Sequence, residues 1–373
     1  MKNKNRPYNK SGEKIPLFSI FLLALSVFAV IILAISSASK NFASFFDKSI
    51  SGPIRHMLAA MTNFIPFSLA ELLIILLPVL VTILIIYAIK KRAHSTKSII
   101  SYFVSLLACG AMMFTIFVFS FGVGYHVPTL YERFDISENG SSTEELKATA
   151  IKLTEEINKR APSVEFDNEG FSVMPYSLSV MNEKLVYAYK IISKEYDFVQ
   201  GFSSNIKPVL MSVPMSYAHT TGVYTFFTGE ANLNVDFPDY TLPYTTAHEL
   251  AHQRGIAREN EANFMAFVAG LQTNDEYIEY SVYLNIFEYV ASSLYMADLK
   301  AYQEIYILLD DSVKKELAAY SRFYEKYRDS KAGEISSSIN DAYLIANGTA
   351  EGTNSYGLVT DLAVAYFNGE FDD

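Results

Sequence analysis

The chain has one cysteine, Cys109, among its 373 residues, and that cysteine lies inside an apolar run. An intramolecular disulfide is therefore excluded. A cysteine-free soluble part is consistent with a bacterial location outside the cytoplasm. No internal repeat and no low-complexity tract is present. Acidic residues are scarce at the front: residues 1–125 hold three Asp/Glu against twelve Lys/Arg, a net of +9. The remainder reverses this, with 37 acidic and 18 basic residues, a net of −19. A basic, apolar front and an acidic rear describe a membrane anchor joined to a solvated domain. The acidic rear would repel phosphates, so nucleic acid is not an expected partner.

Half of the residues are apolar, and three runs are long enough to cross a bilayer. Ile15 to Ser39 is 25 residues without a charge. Leu72 to Ile89 is shorter, at 18 residues, but Phe67 to Ala70 can extend it. Ser98 to about Tyr125 is the third. Spanning takes about 20 mostly apolar residues, so helices are expected at about 15–38, 67–89 and 98–125. The tail 1–14 carries Lys2, Lys4, Arg6, Lys10 and Lys14. The link between the second and third runs carries Lys90, Lys91, Arg92 and Lys97. Positive charge favours the cytoplasmic side, which places the amino terminus inside and residues 126–373 outside. The small residues from Ala34 to Ala38 also fit a cleaved signal peptide, which would leave the outer placement unchanged. Ile54 to Met61 reads as an amphipathic helix on the outer surface or as a plain loop.

The outer part is helix-rich. Helical periodicity covers Glu144 to Lys159 and Asn182 to Tyr196, with a loop over Pro162 to Pro175. It returns over Glu276 to Lys300, Tyr302 to Asp310, Ser312 to Lys331, Ile335 to Ala346 and Asn354 to Phe367. Gly222 to Asp236 is different: its β-prone residues predict one or two strands. Asp239 to Pro243 then gives turn and helix-start signals, and a helix is expected from about Leu242 to Arg254. Gly255 suits a left-handed helix end. A second helix starts near Ala257 and runs towards Leu271.

The helix that follows the strand segment contains His248-Glu249-Leu250-Ala251-His252. Only six histidines occur in the chain. Two of them four apart lie on one helix face, one turn apart, so both imidazoles can reach one metal ion. Glu249 beside them can take a proton from a water at the open coordination position. Three fixed residues form a weak pattern, so the flanks must decide. A catalytic zinc takes three protein ligands and leaves one position for water. Metzincins place a third histidine six residues after the second; here that residue is Arg258, a cation. Glu259 follows it, and Gly255 supplies the turn that lets the next helix face back. Glu261 is the rival ligand. An ion pair of Glu259 with Arg254 or Arg258 is the plainer alternative.

Glu259-Asn260-Glu261-Ala262-Asn263 resembles the Glu-x-x-Ala-Asp pattern of gluzincins such as the HtpX-type and CAAX-prenyl peptidases. It is also similar to the Glu-x-x-Ala-Asn-x-Phe-Ala stretch of ImmA/IrrE-type peptidases, with Phe264 displaced by one and Ala266 in place. Three spans followed by Ala-His-Glu-Leu-Ala-His-Gln-Arg-Gly-Ile-Ala-Arg-Glu resemble most closely an uncharacterised bacterial family of candidate membrane zinc peptidases. The resemblance covers most of the chain and is sharpest over residues 220–270. It implies Glu259 as third ligand and Asn263, on the same helix face, as a residue that orients a ligand. Asn263 stands where an aspartate is usual, and the step from His252 to Glu259 is shorter than in most gluzincins.

The resulting expectation is a mainly α chain. Three transmembrane helices precede a zincin-like α+β domain over 126–373, helix-rich with a small sheet. Its function would be that of a membrane-anchored zinc metallopeptidase. His248, His252 and Glu259 would hold Zn²⁺, Glu249 would act as general base, and the substrate would be a protein or peptide at the outer membrane face. The alternative is a non-catalytic sensor or binding module with a structural or regulatory zinc. His219 reads as a structural, hydrogen-bonded histidine. Glu230, Asn232 and Asn234 read as exposed polarity of an edge strand, able to line a substrate. Tyr244 and Tyr356 are possible oxyanion donors among 26 tyrosines. The aromatic stripe from Tyr277 to Tyr295 reads as core. Oligomeric state has no signature in the sequence.

Overall fold

The computed structural model describes residues 14–92, 95–137, 140–348 and 356–371. The tail expected to be cytoplasmic lies outside them, except for Lys14. The chain is mainly helical (73%), with one three-stranded sheet. Its first part comprises α1 (Leu17–Ala38), α2 (Lys40–Phe46), α3 (Gly52–Asn63), α4 (Leu69–Tyr87) and α5 (Thr96–Ser120). Three stretches are long and apolar enough to cross a membrane: Leu17–Ala38, Leu69–Lys90 and Thr96–Ser120. The 22 residues of each of the first two reach about 33 Å as helix, which matches a hydrocarbon core of about 30 Å.

Small residues let α1 and α5 pack closely along each other. Ala29 and Ala108 are buried there, and Ser19 Oγ donates to Ser105 Oγ at 3.3 Å. By contrast, no residue of the apolar window of α4 is buried. The third apolar run differs from its expected bounds. The α-helix stops at Ser120, and Gly122–His126 form a 3₁₀ turn folded onto the part of the chain that follows.

The second part of the chain continues through α6 (Leu130–Arg133), α7 (Thr143–Arg160), α8 (Leu178–Glu195), β1 (Lys207–Pro208), α9 (Ser212–Tyr217), β2 (Gly222–Thr225) and β3 (Glu230–Leu233). It ends with α10 (Thr241–Gln253), α11 (Glu259–Leu271), α12 (Glu276–Ala297), α13 (Leu299–Leu308), α14 (Asp311–Arg328), α15 (Lys331–Ala346) and α16 (Tyr356–Phe367). Ser142 and Glu145 form a reciprocal capping box that starts α7. The central helix is α12, which packs on α7, α10, α11 and α16. Its Tyr277, Tyr280, Tyr283 and Phe287 are buried, so the aromatic stripe is core over that length, whereas Tyr295 at its far end is exposed.

The sheet order is β1-β3-β2, with β1 parallel and β2 antiparallel to the central β3. This reverses the sequence reading of Glu230, Asn232 and Asn234, which are buried rather than exposed at an edge. The carboxylate of Glu230 accepts the Leu69 and Ala70 amides at 3.0 and 2.9 Å. It thereby satisfies orphan donors at the positive end of α4. Ser68 Oγ donates to Asn232 Oδ1 at 2.6 Å. The polar face of β3 thus clasps the head of a span, a long-range pairing with no local signature.

Candidate metal centre

The centre is built by the end of α10, one turn of chain, and the start of α11. Helix α10 closes with a Schellman motif: the Ile256 amide donates to the Ala251 carbonyl and the Gly255 amide to the His252 carbonyl, both at 3.1 Å. Gly255 has φ +108°, and a Cβ there would lie 2.6 Å from Arg55 Nη2. The turn sends the chain back so that Glu259, the first residue of α11, faces α10.

His248 and His252 bring their Nε2 atoms to 3.0 Å of each other. Glu259 Oε2 lies 3.2 Å from His248 Nε2, and its Oε1 lies 3.5 Å from His252 Nε2. One ligand atom from each residue falls within 4.8 Å of the others, so the three could hold a metal ion. The rival, Glu261, points elsewhere. It accepts the Leu130 amide at 3.0 Å and pairs with Arg258 at 3.3 Å. Arg254 is also turned away, buried between Tyr189 and Phe202. The salt-bridge alternative for Glu259 is therefore not what the structure holds.

Backbone geometry orients one imidazole. His252 Nδ1 lies 2.7 Å from the Ile256 carbonyl, an acceptor, so Nδ1 carries a proton and Nε2 is the nitrogen turned towards Glu259. His248 Nδ1 is buried without a partner. Among the described residues, the Asn263 amide makes no hydrogen bond to either histidine or to Glu259. Its backbone carbonyl accepts from the Tyr244 hydroxyl at 3.1 Å.

Charges in the cluster are mutually dependent. Burial works against the Glu259 charge, but His252 and His248 outweigh it and hold the carboxylate well below its ordinary range. Burial likewise opposes the charge on His252, yet Glu259 overrides it and pushes the imidazole up to about 9.

Glu249 is buried beneath the edge strand β2. Burial pushes its carboxyl up to about 7 against the pull of both histidines, and the Tyr224 amide hydrogen-bonds it. Its Oε2 is buried without a partner. Gly222 leaves the room: a Cβ there would lie 2.6 Å from Glu249 Oε1. Glu249 is thus pressed between the helix that carries the histidines and β2, one of the two edge strands of the sheet.

The residues that sequence reasoning missed come from the end of the third span. The Phe121 ring meets His252 edge-on, with centroids 5.9 Å apart, and also contacts Tyr224 at 5.3 Å. One turn on, the Tyr125 hydroxyl donates to Tyr343 at 3.1 Å. Burial raises both phenols, Tyr343 to about 12, and the Glu259 carboxylate adds to each shift. The site therefore sits directly against the carboxyl-terminal end of α5, although over 120 residues separate them in sequence. Phe121 and Tyr125 look like the tail of a span, and Tyr343 is one tyrosine among many. Other candidates lie elsewhere. Tyr244 is buried against α11, His219 bonds the Tyr327 carbonyl at 2.7 Å, and the Tyr356 side chain is outside the described part.

No curated protein and no solved structure matches the chain. No peptidase family matches it either. A family model described as a protein of unknown function (DUF3810) matches residues 46–364, from the end of α2 into α16. By that match over most of its length, this chain belongs to the DUF3810 family.

Proposed function

We propose that the protein is a membrane-anchored zinc metallopeptidase with a zincin-like outer domain and gluzincin-type ligands. Its amino terminus would be cytoplasmic, and it would cut proteins or peptides at the outer face of the cytoplasmic membrane. The observation that carries this reading is the convergence of His248, His252 and Glu259 beside a buried, unpaired Glu249 oxygen. Two imidazoles and one carboxylate form a three-donor set suited to a tetrahedral ion with one open position. Such an ion, when bound, acidifies a water and polarises a carbonyl. Glu249 would take the proton of the attacking water and return it to the leaving amine. The free edge of β2 supports an extended substrate: strand addition there sets a peptide carbonyl beside Glu249. The charge map supports the outer placement, because the basic segments flank the opposite ends of the spans.

The test uses the full chain in detergent, with metal content and peptide cleavage measured together. Glu249→Gln should retain one zinc and lose hydrolysis. Full activity in that variant would overturn the mechanism. Stoichiometric zinc with no hydrolysis of any peptide by the native chain would favour a sensor.

A further inference from the structure

We propose that the outer domain carries a lipid-contact surface of its own, formed by the exposed face of α3 and the turn before α9, which inserts into the bilayer interface beside the head of α4. Helix α3 has two faces of opposite use. Arg55, Ala59 and Thr62 are buried against the rest of the protein. The other face presents Met57, Met61 and then Phe64, which is 80% exposed. An outward face in water should be polar; this one is apolar. The turn adds Leu210, 88% exposed, and Met211, and the first turn of α9 adds Val213. Phe67, in the link to α4, joins the set. Exposed large apolar groups that gather in one patch mark a contact surface.

Hydrogen bonds fix the level of this patch. The Glu71 carboxylate, in the first turn of α4, accepts the Leu210 and Met211 amides at 3.0 and 2.6 Å. Lys207 donates to the Thr62 carbonyl at 3.0 Å and to that of Ile65. Glu230 holds the Leu69 and Ala70 amides. If Leu69–Lys90 crosses the bilayer, Leu69 lies at its surface, because the span is no longer than the core needs. The patch is tied to that same level through Glu71, at the head of a helix whose large apolar residues are themselves exposed. Amphipathic elements at such a level bury their apolar face about 5–10 Å into the headgroup and acyl boundary. The occupant is therefore the bilayer. The consequence is a domain that lies on the membrane, so that the metal centre at the end of α5 faces chains close to the lipid surface.

The chain has no tryptophan, so one introduced indole gives an unmixed signal. Leu210→Trp and Phe64→Trp are made in the full chain, with Ile307→Trp as control. Ile307 is 71% exposed on α13, which packs on α7 and α12. Each variant is reconstituted in phosphatidylcholine vesicles whose acyl chains carry bromine near the headgroup or near the chain end. Leu210→Trp and Phe64→Trp should lose most of their emission to bromine near the headgroup, and less to bromine at the chain end. Ile307→Trp should be unaffected by either. Two solvent-exposed positions on separate elements guard against one variant misfolding. Emission at both positions insensitive to brominated lipid would overturn the proposal. Emission that instead changes with protein density in the vesicle would assign the face to a second copy, and would also overturn it.

Discussion

Replacing Gly255 by alanine should damage both the fold and the metal centre. A φ of +108° belongs to a region that side chains with a Cβ rarely adopt, at about 1–3 kcal/mol. The new Cβ would also lie 2.6 Å from Arg55 Nη2 and 3.4 Å from Asp47 Oδ2. Arg55 cannot swing aside. It is fully buried, paired with Asp47 at 2.8 and 3.0 Å, and bonded to the Ser120 carbonyl at 2.9 Å. Relief must come from the turn itself, which carries the Ile256 carbonyl that holds His252 Nδ1. Strain and clash together should cost about 2–4 kcal/mol. Loss of a ligand's supporting hydrogen bond lowers metal affinity by about 10–100-fold. Thermal unfolding of the full chain in detergent reads the first effect, and zinc competition with a chelator reads the second. Gly255→Asn should still destabilise, because asparagine tolerates positive φ better than alanine but brings the same Cβ against Arg55. An alanine variant with native melting and native zinc affinity would refute the whole argument.

Glu259→Gln should lower zinc affinity by more than about 100-fold, beyond what loss of a supporting partner causes. Glu261→Gln should spare zinc binding and instead cost about 1–3 kcal/mol, because its carboxylate satisfies the buried Leu130 amide and Arg258. Equal zinc affinities in the two variants would refute the ligand assignment. Gly222→Ala should keep zinc but lower peptidase turnover at least about tenfold, since its Cβ would displace the Glu249 carboxylate from β2; unchanged turnover would contradict that placement. Away from the site, burial pushes Glu288 up to about 7. Its folded value is raised, so it favours the fold below the unfolded value near 4.5 and loses that favour as pH rises through 7. Glu288→Gln should therefore be more stable than the native chain at pH 8, by up to about 3 kcal/mol, with the difference fading towards pH 4. Melting curves across that range test it, and a difference of the opposite sign would refute it.

Much of the metal centre is legible in the sequence because its geometry is local. Two histidines four apart share a helix face whatever surrounds them, and Gly255 marks the turn that follows. The choice between Glu259 and Glu261 is less local. Successive helix residues rotate by about 100°, so two positions place a carboxylate on nearly the opposite side. Starting α11 at Glu259 aims that residue at the histidines and sends Glu261 to Leu130. Polar residues on β3 misled for a related reason. A strand's alternation does not reveal whether it lies at the edge or the centre of a sheet, and the partner of Glu230 is the head of a span far away in sequence.

By itself, then, the sequence determined the helical character, the three apolar stretches, the charge division between residues 1–125 and the rest, and the His-Glu-x-x-His face with its glycine turn. Periodicity, hydropathy and φ preference are properties of short segments, so they survive without a fold. Only the tertiary structure decided which glutamate meets the histidines, that Phe121 and Tyr125 carry the end of a span onto the centre, and that β3 holds α4. The last two join segments more than 100 residues apart, and their geometry is set by packing of the whole core rather than by any spacing along the chain.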